Sequence, residues 1–83
     1  MTIFQFISNL EYINENFDFD ENEQVIFVYF RFNYAPSAEH LEKAKDTFYI
    51  VLEQLLQIDR KLIPYSFIDN TLCFTVNKEY LEK

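Results

Sequence analysis

Glycine is missing from the 83-residue sequence, and cysteine, histidine and proline are scarce. Without glycine the chain cannot form a conventional phosphate-binding loop, since such loops need residues that lack a Cβ. The single cysteine, Cys73, excludes an internal disulfide and is typical of a reducing cytosol. Cys73 and the single histidine, His40, are too few for a conventional His/Cys metal site, so we expect neither a metal nor another cofactor.

Basic residues are missing from the first thirty positions, which hold six of the fourteen acids, whereas all seven bases follow from Arg31 onward. The formal net charge of −7 is therefore concentrated in the N-terminal third. Such a surface repels phosphate backbones and anionic lipids, so we expect no direct binding of nucleic acid or membranes. A protein partner with a basic surface is favoured, because complementary charge steers association.

Long apolar runs are missing as well, so no segment is expected to cross a bilayer. The N-terminal segment carries acids and no basic region, which is not the pattern of a signal peptide, and we expect a cytoplasmic protein. What the sequence does contain is 49% hydrophobic and 19% aromatic residues, enough for a packed core. Length and composition together predict one small globular domain spanning residues 1–83.

The stretch with the strongest β character is residues 24–34, most of which are β-branched or aromatic. Because side chains alternate along a strand, one face of this strand is expected to enter the core. The second face is also apolar at three positions, Val25, Phe27 and Tyr29. A strand that is apolar on both faces needs cover on both sides, so we expect a second copy or another partner to contact these three residues.

Two helices and one β-hairpin are predicted from local patterns. Residues 2–15 carry apolar side chains at helical spacing. A longer helix is expected to begin after Ser37, a favourable N-cap, and to run to about Lys61. The pair Asp69 and Asn70 tolerates the positive φ of a two-residue hairpin turn, which places the strands of the hairpin on either side of it.

These elements predict an α+β fold with the order α-β-α-β-β and a final α-turn capped by Asn77. The sheet is expected to have three strands, mainly antiparallel, packed on one long helix. Pro64 cannot donate to a ladder, so its strand is expected at one edge, and the last strand is expected in the middle. Residues 24–34 would then form the other edge, and residues 16–23 would form an acidic loop.

No residue set points to catalysis. His40 is expected to open a helix while Cys73 lies in a strand, and no nucleophile elbow or metalloprotease helix occurs. Asp18, Asp20 and Asn22 have the spacing that opens a calcium loop, but that loop needs glycine at its sixth position, where Glu23 stands. We therefore expect a protein that is not an enzyme.

The charge distribution and the second apolar strand face favour a small acidic protein that binds another protein. The concrete interpretation is an inhibitor that blocks the basic groove of a nucleic-acid-handling protein, such as a nuclease or a CRISPR effector, as a nucleic-acid mimic. Small phage-encoded inhibitors, which act in the host cytoplasm, are often of this physical type, and the comparison is one of class alone. The carboxylates expected to contact the partner are Glu11, Glu15, Asp18, Asp20, Glu21 and Glu23.

Two alternative interpretations remain open. The first is an immunity protein or antitoxin that neutralises a basic toxin, which would bind through the same complementary charge. A homo-oligomeric structural or adaptor module, in the simplest case a homodimer, would instead place Val25, Phe27 and Tyr29 at a self-interface, and its acids would serve solubility alone.

Overall fold

A computed structural model of the chain describes residues 1–81 and contains one four-stranded antiparallel sheet with two α-helices. The strands are β1 (Phe17–Glu21), β2 (Val25–Arg31), β3 (Tyr65–Ile68) and β4 (Thr71–Asn77), and their order in the sheet is β1-β2-β4-β3. The helices are α1 (Ile3–Ile13) and α2 (Ala38–Leu56), and two short 3-10 turns cover Arg60–Leu62 and Lys78–Tyr80. The α+β class is confirmed, but the sheet has four strands instead of three.

The additional strand, β1, lies in the segment that was predicted to be an acidic loop. Phe17 and Phe19 alternate with Asp18 and Asp20, and the two phenylalanines turn toward the core while the two aspartates remain exposed. Burial of the two rings outweighs the low β propensity of aspartate. The prediction that residues 24–34 form an edge is therefore wrong, because β1 occupies that edge and β2 lies inside the sheet.

The helices begin where the sequence predicts and end earlier. Thr2 and Gln5 form a capping box at α1, and the Ser37 side chain accepts a hydrogen bond from the His40 N–H at α2. The helix α2 ends at Leu56 and not at about Lys61, because Gln57 adopts the left-handed conformation with φ of 57°. A residue in that conformation cannot continue a right-handed helix.

The β3–β4 hairpin closes with the two-residue turn that the sequence predicts. Asp69 and Asn70 have φ of 52° and 59°, as a two-residue turn of this kind requires. Ile68 pairs with Thr71, and the strand that follows Pro64 lies at the edge of the sheet. The last strand, β4, lies between β2 and β3 and is antiparallel to both, which confirms its predicted position.

Both helices pack on the same face of the sheet. Phe6 and Leu10 of α1 are almost fully buried in one cluster with Ile26 of β2. Phe48 of α2 contacts Phe30 of β2, with 4.8 Å between the ring centroids. The molecule is therefore a two-layer structure in which the opposite face of the sheet carries no helix within residues 1–81. Neither α1 nor α2 combines the length and the apolar composition needed to cross a bilayer.

Candidate protein-binding surface

The uncovered sheet face, called the open face below, is arranged in columns that follow the strands. The central column on β2 contains Val25, Phe27 and Tyr29, which are half-buried by their neighbours in the sheet. The core residues and the partly buried apolar residues packed against them all lie on the helix side of the sheet. Val25, Phe27 and Tyr29 belong to neither group. Neither α1 nor α2 therefore covers these three residues, and their contact with a second copy or another partner stays a prediction.

The column beside it, on β1, is acidic. Strand register places Asp18 directly opposite Tyr29, and it places Asp20 directly opposite Phe27. Both aspartates are exposed, and neither has an ion-pair partner among the residues that the structure describes. Two carboxylates without an ion-pair partner among the described residues therefore stand next to two aromatic side chains on one face of the sheet.

The other four predicted acids do not join this surface. Glu21 ends β1 and forms an ion pair with Lys78, with 2.6 Å between the carboxylate oxygen and Nζ. Glu11 lies on α1, Glu15 lies in the turn that follows α1, and Glu23 lies in the turn between β1 and β2, and all three are exposed. The predicted set of six thus divides into two acids on the open face and four that lie outside it.

The third column of the open face comes from β4 and was not assigned to a site from the sequence. Cys73 pairs with Tyr29, and Thr75 pairs with Phe27, so these residues extend the surface away from the carboxylates. The alternation of polar and apolar residues along β4 does predict which side chains share a face. What the sequence could not show was that these side chains continue the surface of Val25, Phe27 and Tyr29.

The titratable groups in the middle of the open face are neutral near pH 7. Burial is the main cause that raises the pKa of Tyr29, and the neighbouring Cys73 and Asp20 raise it further. Burial likewise raises the pKa of the Cys73 thiol. Because nucleophilic cysteines need a lowered pKa, this thiol has the character of a contact residue and not that of a nucleophile.

A cleft lies beside the N-terminal half of α2. It has a volume of about 460 Å³ and is lined by Ser37, His40 and Phe48 among others, and Tyr34 Oη lies 3.2 Å from His40 Nδ1. Its charged side chains Glu39 and Lys43 pair with each other at 3.2 Å. Within residues 1–81 no group of three or more histidine, cysteine, aspartate or glutamate side chains is placed to hold a metal ion.

Comparisons of the chain with protein-family models, with curated proteins and with solved structures found no significant match.

Proposed function

We propose that this protein binds a basic protein through the open face and the acidic strand β1, and that it thereby blocks a surface which otherwise binds nucleic acid. The observation that carries the proposal is the adjacency of the carboxylates of Asp18 and Asp20, which have no ion-pair partner within residues 1–81, to the rings of Tyr29 and Phe27. Interfaces are enriched in aromatic residues at their centre and gain specificity from complementary charge. A groove that neutralises phosphates offers the positive charge that these carboxylates need.

The overall charge supports the same class of partner. A net charge of −7 on 83 residues raises the rate of association with a cationic protein and slows association with nucleic acid. The exposed acids Glu11, Glu15 and Glu23 contribute to this long-range field although they lie outside the open face. Such steering acts over roughly the Debye length, about 8 Å at physiological salt, so it complements direct contact and does not replace it.

The test compares three forms of the intact protein as bait. These are the natural chain, the double variant Asp18→Lys/Asp20→Lys, and the control Glu39→Lys/Glu42→Lys. The control makes the same change of charge on α2, where both acids are exposed and paired only with lysines of the same helix. Circular dichroism and thermal unfolding first establish that all three are folded.

We expect the natural chain and the control to bind a common protein that the Asp18→Lys/Asp20→Lys variant does not bind. That protein should bind nucleic acid, and stoichiometric addition of the natural chain should displace the nucleic acid in an electrophoretic or anisotropy assay. A partner whose nucleic-acid binding is unaffected would contradict the inhibitor proposal. Undiminished affinity of the folded Asp18→Lys/Asp20→Lys variant would exclude the acidic strand as the contact. A partner that is a toxin would identify the protein as an immunity protein.

Self-association is the alternative that the apolar column favours. Light scattering after size exclusion, at low and at moderate salt, distinguishes it from the proposal. We expect a monomer at both salt concentrations, because the carboxylates beside the column oppose contact between two copies of the same acidic chain. A dimer that the changes Val25→Lys, Phe27→Lys and Tyr29→Lys convert to a monomer would show instead that this column is a self-interface.

A further inference from the structure

The outer edge of β1 presents backbone groups that point away from the sheet. In an antiparallel strand, alternate residues direct their N–H and C=O groups to opposite sides. The Phe17 N–H donates to the Asn14 carbonyl at 3.3 Å, and the Glu21 N–H donates to Asp20 Oδ1 at 2.8 Å, so neither donates to β2. By the same alternation the N–H and C=O groups of Phe19, midway between them, lie on the free edge.

The groups on this edge are available for pairing. No hydrogen bond to the Phe19 N–H, or to the carbonyls of Phe17 and Phe19, occurs within residues 1–81. Unpaired strand edges are templates for the addition of a further strand. The edge of β3, at the other side of the sheet, is shorter and is preceded by Pro64, which cannot donate to a ladder.

A cavity lies beside the same edge on the helix side. It has a volume of about 190 Å³ and is lined by Ile7 of α1, Phe19, Asp20 and Glu21 of β1, and Ile26 of β2. A cavity of about 150 Å³ accommodates benzene, so this one has room for an aliphatic side chain. The two sides of the β1 edge therefore differ. The carboxylates of Asp18 and Asp20 lie on the open face, and the helix side has a recess with the apolar side chains of Ile7, Phe19 and Ile26 in its lining beside Asp20 and Glu21.

These two sides prescribe the sequence of a strand that pairs with β1. Side chains alternate along an added strand, so every second residue would lie near Asp18 and Asp20, and the intervening residues would face the recess beside Ile7 and Phe19. Lysine or arginine suits the first set, and valine, isoleucine or leucine suits the second.

A second copy of this chain does not fit the edge. If two β1 strands paired antiparallel about Phe19, Asp18 of each copy would lie opposite Asp20 of the other. Like charges directly opposite each other destabilise a strand pair. The charge on the edge thus disfavours self-pairing and favours a basic strand from another protein.

We propose that the partner contributes an extended segment, in which basic and aliphatic residues alternate, and that this segment adds to β1 as a fifth strand. This inference rests on the proposed function, since it specifies the form of the basic partner. It also gives the interface a larger extent. From strand spacing and length, the open face has a projected area of at most roughly 450 Å². One partner buries about 800 Å² in a standard interface, so the open face alone is smaller than such an interface.

The probe is a labelled seven-residue peptide in which lysine alternates with valine, titrated against the intact protein by fluorescence anisotropy. The first control is a peptide of the same composition with the lysines and valines in two separate blocks. We expect the alternating peptide to bind at least tenfold more tightly than the block peptide, since only the alternating one places all lysines on the acidic side. Equal affinities would overturn the proposal.

Two N-methylated forms of the alternating peptide provide the decisive test. One is methylated at the backbone nitrogen of every lysine, and the other at that of every valine. Only one edge of an added strand faces β1, so one form should lose at least tenfold in affinity while the other remains within about threefold of the parent. Loss for the valine form indicates antiparallel addition, and loss for the lysine form indicates parallel addition. Equal effects of the two methylations would show that no strand is added.

The variants separate this inference from the proposed function. Asp18→Lys/Asp20→Lys should lose binding of the alternating peptide, whereas Glu39→Lys/Glu42→Lys should retain it. If the alternating and block peptides bind alike but both depend on Asp18 and Asp20, the edge inference is wrong and the acidic contact stands. If the folded Asp18→Lys/Asp20→Lys variant binds the alternating peptide as well as the natural chain does, both the edge inference and the acidic contact are wrong.

Discussion

Asp20 lies directly opposite Phe27 in the β1–β2 pair, so an exposed carboxylate and a half-buried aromatic ring are neighbours on a sheet face that neither α1 nor α2 covers. The solvent-facing side of an antiparallel sheet commonly carries polar side chains. The ring of Phe27 instead lies beside that of Tyr29, with 6.3 Å between the centroids. This half-buried aromatic pair on a face without a helix is the feature that the proposed interface would use.

Substitutions on the open face should cost much less stability than substitutions in the core. Phe27→Thr keeps a residue with high β propensity, and we expect it to lower the free energy of unfolding by about 1 kcal/mol or less. Phe74→Ala removes a fully buried ring on the other face of the sheet and should cost about 3–5 kcal/mol. Urea denaturation followed by circular dichroism measures both. A loss for Phe27→Thr as large as that for Phe74→Ala would show that the open face is covered in the free protein.

The sequence predicts most of the fold because local signals and burial agree in most segments. The cap at Ser37 and the turn at Asp69 and Asn70 specify their elements through short-range hydrogen bonds and backbone preferences. The segment that forms β1 was misassigned because its charge favoured a loop, although Phe17 and Phe19 already showed the period of a strand. Where charge and periodicity conflict, the fold follows the periodicity, since two rings gain more from burial than two exposed aspartates lose.

The sequence predicts the residues of the candidate surface, but it does not predict which of them are neighbours. The apolar residues of β2 and the acids of β1 are each evident in the sequence, yet their adjacency depends on which residues pair. The register that places Asp18 opposite Tyr29 follows from the turn, where the Asn22 side chain accepts hydrogen bonds from the N–H groups of Gln24 and Val25 at 2.8 and 2.9 Å. The charge of residues 16–23 predicts a loop there, and a loop has no strand register.

Cys73 offers a natural reporter of contact on the open face. Its thiol lies between Tyr29 and Ser66 in the sheet, and burial raises its pKa, so less of it is thiolate at neutral pH than for a free cysteine. We expect alkylation by iodoacetamide to be several-fold slower than for an unfolded cysteine peptide, since the thiolate is the reactive form. A folded partner on the open face should slow the reaction at least tenfold further. A partner that displaces nucleic acid without protecting Cys73 would exclude this face from the interface.

The same reporter distinguishes face contact from edge contact. The short peptide that adds to β1 should leave the alkylation rate of Cys73 within about twofold of that of the free protein, because β2 lies between Cys73 and the edge. Protection of Cys73 by the alternating peptide would place the peptide across the open face, contrary to strand addition.

The end of α2 provides a site where the natural residue is not the most stable one. Gln57 has φ of 57°, and a side chain with a Cβ is unfavourable in that conformation, whereas glycine is not. We expect Gln57→Gly to raise the free energy of unfolding by about 0.5–1 kcal/mol, in line with the left-handed preference of glycine. The matched control Gln54→Gly, within α2, should lower it by about 1 kcal/mol. Thermal or urea unfolding of both variants checks the prediction, which fails if the two changes have the same sign.

The acid sensitivity of the fold should depend on the pairing of Glu53 with Arg60. Two hydrogen bonds join the guanidinium to Glu53 Oε1, at 3.2 Å from Nε and 2.9 Å from Nη2. These side-chain hydrogen bonds are the main cause that lowers the pKa of Glu53. Since the pKa is lower in the folded state, the pairing stabilises the fold fully above the ordinary pKa of glutamate, about 4.3. That contribution is lost as the pH falls through the lowered pKa.

Glu53→Gln removes the ionisation while it keeps an oxygen that can accept from Arg60. We therefore expect the free energy of unfolding of this variant to fall less steeply than that of the natural chain as the pH is lowered from neutral to about 3, well below the ordinary glutamate pKa. Arg60→Met should likewise make the free energy of unfolding depend less on pH over this range, because it removes the partner that lowers the pKa of Glu53. Urea denaturation at a series of pH values measures both slopes. If both variants retain the full acid dependence of the natural chain, other carboxylates govern acid unfolding and the Glu53–Arg60 pair does not contribute to it.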